Sequence, residues 1–214
     1  MIPKIFVQTS EQKLESYILE QNQKKTNGYK YLHFNNQERV NFLEEYCIKL
    51  FPNIIDTYRN IYFGQHRADL FRYAFLYING GVYLDTDCLF VENLDNFIDN
   101  NYQLITVYSA YNNAIWNGFI AAKPTCNILF KMINYICGIH PSIIQGSYQH
   151  LNCVLYEFID NDKNTLLLNE EYYDHPNEIL CAKKDNKILM FHYNGTKIPN
   201  NFKKININQE KFYT

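Results

Sequence analysis

The sequence predicts an α/β layered fold around a mostly parallel sheet, and three observations lead there. Short apolar runs closed by polar residues alternate with longer stretches of helical periodicity. The chain is 47% hydrophobic and 20% charged, a balance that suits a packed core. No Pro-, Gly- or Ser-rich linker divides the 214 residues and no internal repeat recurs, so a single domain over residues 1–214 is the simplest organisation. A chain of this length can bury roughly 70% of its unfolded surface.

The elements follow in order. Pro3 to Gln8 reads as a short buried strand, with Ile5, Phe6 and Val7 in a row. Ser10 suits the N-cap of a helix reaching about Gln23, with Leu14, Tyr17 and Ile18 on one side. Gly28 to Phe34 is a second, β-prone strand. From Asn36 an amphipathic helix turns Val40, Leu43, Cys47 and Leu50 inward and Glu38, Glu44 and Glu45 outward, until Pro52 stops it. A further helix runs from about Gln65 to Ile78 and ends at Gly80-Gly81, before a strand from Val82 to Leu84. Tyr102 to Tyr108 and Ile115 to Ala122 read as strands. Thr125 caps a helix to Cys137 closed by Gly138, and Ser147 caps another through Phe158. Ile188 to Tyr193 is a last strand, and the segment from Asp160 to Asp185 gives no clear periodicity.

Composition excludes several classes. Twenty basic residues against 22 acidic ones leave a formal charge of -2, without the basic excess of a general nucleic-acid binder. The apolar runs break well short of the roughly 18–20 residues that span a bilayer. The opening Met1-Ile2-Pro3-Lys4 has no cationic start followed by a long apolar stretch, so no signal peptide is expected. Six cysteines form no CxxC pair, which points to reduced thiols and a cytoplasmic setting rather than a zinc knuckle. Nothing in the sequence sets an oligomeric state.

Chemistry concentrates between His66 and Asp87. The helix from Leu70 to Ile78 is apolar apart from Arg72, and a guanidinium there is costly unless it meets an anion. Asp69, three residues earlier, offers a structural partner, while a ligand phosphate is the alternative that the guanidinium fork also fits. Gly80-Gly81 then turns the chain, and a short strand delivers Asp85-Thr86-Asp87 to the sheet's C-terminal edge. In extended backbone positions 83, 85 and 87 share a face. Two adjacent carboxylates await a divalent cation or a shared proton, and oxygen donors favour Mg²⁺ or Mn²⁺ completed by substrate phosphates. His192 should emerge at the end of the last strand, and its imidazole would tilt a metal site toward Mn²⁺. Trp116 either lines a pocket or packs under a helix.

These residues resemble a known family. The pattern A-D-x-x-R-Y-x-x-L-Y-x-x-G-G-x-Y-x-D-x-D, met here by Ala68, Asp69, Arg72, Tyr73, Leu76, Tyr77, Gly80, Gly81, Tyr83, Asp85 and Asp87, resembles the DXD sugar-binding region of the family 32 glycosyltransferases. It is also similar to the catalytic core of clostridial glucosylating toxins. Ile2-Pro3-Lys4-Ile5 with Gln8-Thr9 looks like the family's opening, and Asn117-Gly118-Phe119-Ile120-Ala121-Ala122 like a second conserved stretch. Near the C-terminus the family's H-x-x-G-S-W becomes His192-Tyr193-Asn194-Gly195-Thr196-Lys197, without the Trp, and the Pro expected near Gln145-Gly146-Ser147 is absent.

The resemblance implies a GT-A (Rossmann-like) fold and a metal-dependent retaining glycosyltransferase. Its donor is a nucleotide sugar carrying a hexose-type sugar, UDP-linked first and GDP-linked second; its acceptor is a glycan or a protein; its cofactor is Mn²⁺ or Mg²⁺. By the same resemblance Asp69 and Arg72 contact the donor sugar and diphosphate, Tyr83 and Asn117 sit with the donor, and Val7, Gln8 and Thr9 edge the base. Asp85 contacts ribose and sugar hydroxyls or the metal, while Asp87 and His192 ligate the metal. Two rivals stand beside it. A non-catalytic carbohydrate-binding protein would need neither metal nor nucleotide. A DxD phosphatase would use its first Asp as nucleophile, and would need a later Lys and acidic pair, for which Asp160-Asn161-Asp162 is a poor candidate.

Overall fold

A computed structural model describes residues 1–11, 16–111, 113–147, 149–174 and 179–193. The expectations placed on Leu14 and on Asn194, Gly195, Thr196 and Lys197 lie outside these residues. The N-terminal half carries strands β1 (Ile5–Thr9), β2 (Lys30–Phe34), β3 (Gly81–Leu84) and β4 (Cys88–Phe90), with helices α1 (Ser16–Lys25), α2 (Asn36–Phe42), α3 (Ile54–Asn60) and α4 (Gly64–Asn79). The remainder supplies β5 (Leu104–Tyr108), β6 (Ile115–Ala122), β7 (Thr165–Asp174), β8 (Ile179–Lys184) and β9 (Lys187–His192), with α5 (Asn127–Gly138), α6 (Pro141–Gln145) and α7 (His150–Ile159) between them.

The described strands join into one sheet in the order β2-β1-β3-β6-β5-β7-β8-β9-β4. The α/β class holds, but the sheet is mixed and not mostly parallel. Only β1–β2, β1–β3 and β5–β7 run parallel, and the other neighbouring pairs are antiparallel. The reason is connection length. Crossover helices return the chain in the same direction at α1, α4 and α7, whereas β5–β6 and β7–β8–β9 are joined by links too short for a crossover.

Alternation along the strands makes two main cores, beside a smaller cluster around Ile18, Leu89, Cys181 and Phe191. Val7 and Tyr83 face a helical layer with Leu70, Phe71, Leu76, Leu129 and Leu155. Phe6, Val82 and Leu84 face the opposite cluster, with Phe90, Phe97, Phe119 and Trp116. Helix α4 is buried from His66 to Leu76 except at Arg67, and each large apolar side chain there contributes roughly 1.5–3 kcal/mol relative to exposure. The sheet curls back on itself. The ring of Phe90, on the last strand in the spatial order, lies 5.8 Å from Phe6 of β1 and 6.2 Å from Phe119 of β6.

Gly80 and Gly81 are required by shape. Their φ values are +65° and +105°, and a Cβ on Gly80 would stand 2.7 Å from Pro124 and 2.8 Å from Pro3. The chain therefore leaves α4 and enters β3 with no side chain in the way.

Two local expectations are corrected. Helix α2, closed at its start by an Asn35–Glu38 capping box, passes into a π-helical turn at Leu43–Cys47. The extra residue per turn shifts the helical phase, so Leu43 and Cys47 stay buried while Leu50 is 53% exposed instead of inward. The residues that a cap at Ser10 would serve lie outside the described ones; the Ser10 hydroxyl lies 2.8 Å from His33 Nε2, and α1 is described from Ser16. Strand β3 ends at Leu84, so Asp85-Thr86-Asp87 is a turn leading into β4 and not an extended run.

Candidate active site

Arg72 is the hub of the polar cluster at the C-terminal end of β3. Its Nη1 donates to Asp85 Oδ2 (3.3 Å) and its Nη2 to Asp85 Oδ1 (3.0 Å), a two-pronged contact. Nη2 also lies 3.3 Å from Asp69 Oδ1. The guanidinium plane sits 4.2 Å from the centre of the Tyr83 ring. Burial works against the charge of Arg72, but Asp85, Tyr83 and Asp69 more than offset it and raise its pKa further. The structural pair with Asp69 is thus present, and Asp85 joins it. The repulsion expected between the two DXD carboxylates is answered in part from inside the protein.

Asn117 completes this inner layer because β6 bulges. Thr106 pairs with Ile120 and Val107 with Trp116, so Asn117, Gly118 and Phe119 have no partner residues on β5. Freed there, the Asn117 carbonyl accepts from Arg72 at 2.7 Å, and its amide donates to Asp69 at 3.0 Å and Tyr73 at 2.8 Å. The Gly118 carbonyl accepts the backbone N–H of Asp85 at 2.8 Å. His66 Nδ1, 3.1 Å from Asp69 Oδ2, holds that carboxylate from the other side.

Tyr83 donates its hydroxyl to Asp85 Oδ1 at 2.8 Å and meets the Thr9 hydroxyl at 3.2 Å. Burial pushes the Tyr83 phenol well above its ordinary range, so it remains a neutral donor. Gln8 is fully buried, and its amide reaches the carbonyls of Leu84 and Asp85 at 3.3 and 3.4 Å. Val7 packs into the helical-face core, with Leu32 and Tyr83 as its register partners on either side. Of the opening segment, Thr9 therefore stands nearest the cluster's hydroxyl and carboxylate groups, and Val7 supports it from beneath.

Asp87 lies on the outer side. Its main-chain carbonyl accepts from Tyr193 N at 3.0 Å, and Cys88 pairs with His192 across β4–β9. The strand end thus brings His192 beside the DXD turn from a hundred residues away. The imidazole stacks on Trp116, with ring centres 4.4 Å apart and planes 17° apart. Trp116 is therefore neither a pocket wall alone nor a helix-packed residue; it is the floor under His192. Its Nδ1 lies 2.9 Å from Glu170 Oε1. Burial pulls the ring's pKa down, but the Glu170 hydrogen bond and the charges of Asp87, Glu170 and Asp85 together leave it raised. Sequence reading missed Glu170, which sits in the segment without clear periodicity.

Gly118 makes the Trp116 stack possible, since a Cβ there would fall 2.5 Å from the indole. Gly118→Ala is expected to cost about 1–3 kcal/mol through overpacking. Because Trp116 is the single tryptophan, its fluorescence should report the displacement directly. An unchanged emission spectrum and melting point would show that the indole is not held by this contact.

Among the described residues, no three His, Cys, Asp or Glu side chains form a ready-made metal cage. The donor set nevertheless fits a hard divalent ion finished by a ligand's phosphates. Asp87 and His192 offer one oxygen and one nitrogen, while Asp85 is already committed to Arg72 and Tyr83.

Comparison with known proteins agrees with the resemblance read in the motif. Residues 12–104 match the glycosyltransferase sugar-binding region containing a DXD motif. Over 102 residues the chain is 33% identical to the uncharacterized glycosyltransferase L373 of Acanthamoeba polyphaga mimivirus, covering 45% of this chain and 38% of that protein. The chain thus spans well under half of that relative's length. In structure it is similar to the PaToxG glycosyltransferase, with a TM-score of 0.52 at 14% identity over 74% of this chain and 69% of that one. At that identity the likeness concerns the fold, which is that of a glycosyltransferase. No helix among the described residues is long and apolar enough to cross a membrane.

Proposed function

We propose, for a chain that resembles the DXD glycosyltransferases in sequence and a glycosyltransferase in fold, that it transfers a hexose-type sugar from a nucleotide sugar to a glycan or protein acceptor. The donor is UDP-linked first, GDP-linked second, and transfer retains anomeric configuration, as the resemblance implies. One observation carries this reading: Asp69, Arg72, Tyr83, Asp85 and Asn117 converge in a single hydrogen-bonded cluster beside Asp87 and His192. Ligands of open α/β sheets bind beyond the carboxyl ends of strands, where this cluster lies. The 214 residues act as one GT-A type domain.

In this reading the residues divide the work. Arg72 neutralises Asp85 and fixes its carboxylate, so that Asp85 can accept hydroxyls of ribose or sugar in a set orientation. Asp69 is held by His66, Arg72 and Asn117, and presents its remaining acceptor capacity to the donor sugar. Thr9 and Gln8 flank the base end. Asp87 and His192 would hold Mn²⁺ or Mg²⁺, which when bound supplies neutralisation of charge on the departing diphosphate.

The test is a panel of nucleotide sugars screened by thermal shift with Mn²⁺ and Mg²⁺, followed by assay of nucleotide release. A bound donor stabilises the folded state by mass action, about 2.7 kcal/mol at a hundred times its Kd. UDP sugars should raise the melting temperature in a metal-dependent way. If no nucleotide sugar is bound or cleaved with either ion present, the transferase reading fails.

A further inference from the structure

We infer that Glu170 is a positioning residue for this site: it holds His192 in the Nδ1–H tautomer and thereby leaves Nε2 as the lone-pair nitrogen beside the DXD turn. The inference rests on the proposed metal-and-donor reading for its purpose, but not for its geometry.

Glu170 is a carboxylate in the interior of the sheet. Its side chain is 2% exposed. Both oxygens are spoken for. Oε2 accepts from the backbone N–H of Ala110 at 3.0 Å and lies 3.1 Å from Ser109 Oγ. An amide N–H can only donate, so Oε2 is fixed as an acceptor. Oε1 then faces His192 Nδ1 at 2.9 Å, and the proton between them belongs on the ring. Two restraints of different kind act on the imidazole. The Trp116 stack fixes its plane, and Glu170 fixes its rotation within that plane. The nitrogen left over is Nε2, on a residue paired across the sheet with Cys88, next to Asp87. A carboxylate behind a histidine is the arrangement that orients the ring and raises its basicity toward a metal ion. Glu170 comes from β7 and the Ser109–Ala110 loop follows β5, so the central parallel strands, and not the DXD segment, set the ring's direction.

Glu170→Gln tests this with almost no change of shape. One end of the amide must still accept from Ala110, so its oxygen goes there and its NH₂ turns to His192. Nδ1 must then accept, and the proton moves to Nε2, which loses its lone pair. In ¹⁵N spectra of the ring at alkaline pH, assigned by loss of signal in His192→Ala, the wild type should show a protonated Nδ1 and the variant a protonated Nε2. The Mn²⁺ concentration needed for UDP binding should rise about 10–100-fold in the variant. Should the variant not fold, the wild-type spectrum alone decides, because a protonated Nε2 there overturns the assignment. An unchanged tautomer and Mn²⁺ requirement in Glu170→Gln overturn it equally. A wild type with protonated Nδ1 that binds no UDP with Mn²⁺ refutes the UDP-linked donor and leaves the hold of Glu170 on the ring supported.

Discussion

Asp87→Asn should leave a folded protein whose sugar transfer is slower by about 10³-fold or more, the scale on which removal of an electrostatic contact to a developing charge is felt. Asp87 holds the fold through its main-chain carbonyl, which accepts from Tyr193, and through Oδ1, which accepts from Cys88 Sγ at 3.3 Å. An asparagine can keep both of these acceptors while it loses the negative charge. Relief of repulsion with Asp85 should even leave the metal-free protein slightly more stable. Turnover of a nucleotide sugar, measured together with Mn²⁺-dependent nucleotide binding and the melting temperature, separates the two effects. Near-normal activity would remove Asp87 from the chemistry.

Arg72→Ala should have the largest effect on stability, about 3–5 kcal/mol, because it leaves carboxylates without their counter-charge. Asp69 is 11% exposed in its side chain and Asp85 31%, so water can compensate Asp85 in part and the lower end of that range is expected. Arg72→Lys should recover little. A single ammonium cannot contact both oxygens of Asp85 while also serving the carbonyl of Asn117. Chemical denaturation of the three proteins measures this. A loss below about 1 kcal/mol for Arg72→Ala would mean that the charges at 69 and 85 are balanced by something other than the guanidinium.

The part of the site that was legible in the sequence is the part built from contiguous residues. An apolar helix with one arginine, a Gly-Gly turn and a strand ending in DXD leave few alternatives, and α4 and β3 appear within about a residue of where the pattern places them. Strands β5 and β6 were equally plain, since both faces are buried and their runs are almost wholly apolar. The region after Asp160 was not, because β7 mixes buried and exposed positions without regular alternation over its second half. Glu170 there, within Asn169-Glu170-Glu171, looks like a solvated face. Only the approach of Ser109, Ala110 and His192 from other strands shows that it is interior. One signal was available: Asp185-Asn186, with φ of +51° and +65°, is a two-residue hairpin turn built from residue types that tolerate that backbone. It would have paired β8 with β9. The phase slip at Leu43–Cys47 had no such marker.

The placement of β4 has a consequence for how the protein is made. Cys88, Leu89 and Phe90 follow the DXD turn at once, yet their sheet partners are His192, Phe191 and Met190, about a hundred residues later in the chain. Everything in the motif leaves the ribosome early. Asp87 gains Tyr193 and His192 beside it only after β9 has emerged and closed a long loop, a slow step whose unpaired strand is prone to wrong association meanwhile. A nascent chain stalled before residue 187 would carry the complete DXD sequence and still lack His192 beside it, so ligand binding that requires both groups can begin only when synthesis has passed the last strand.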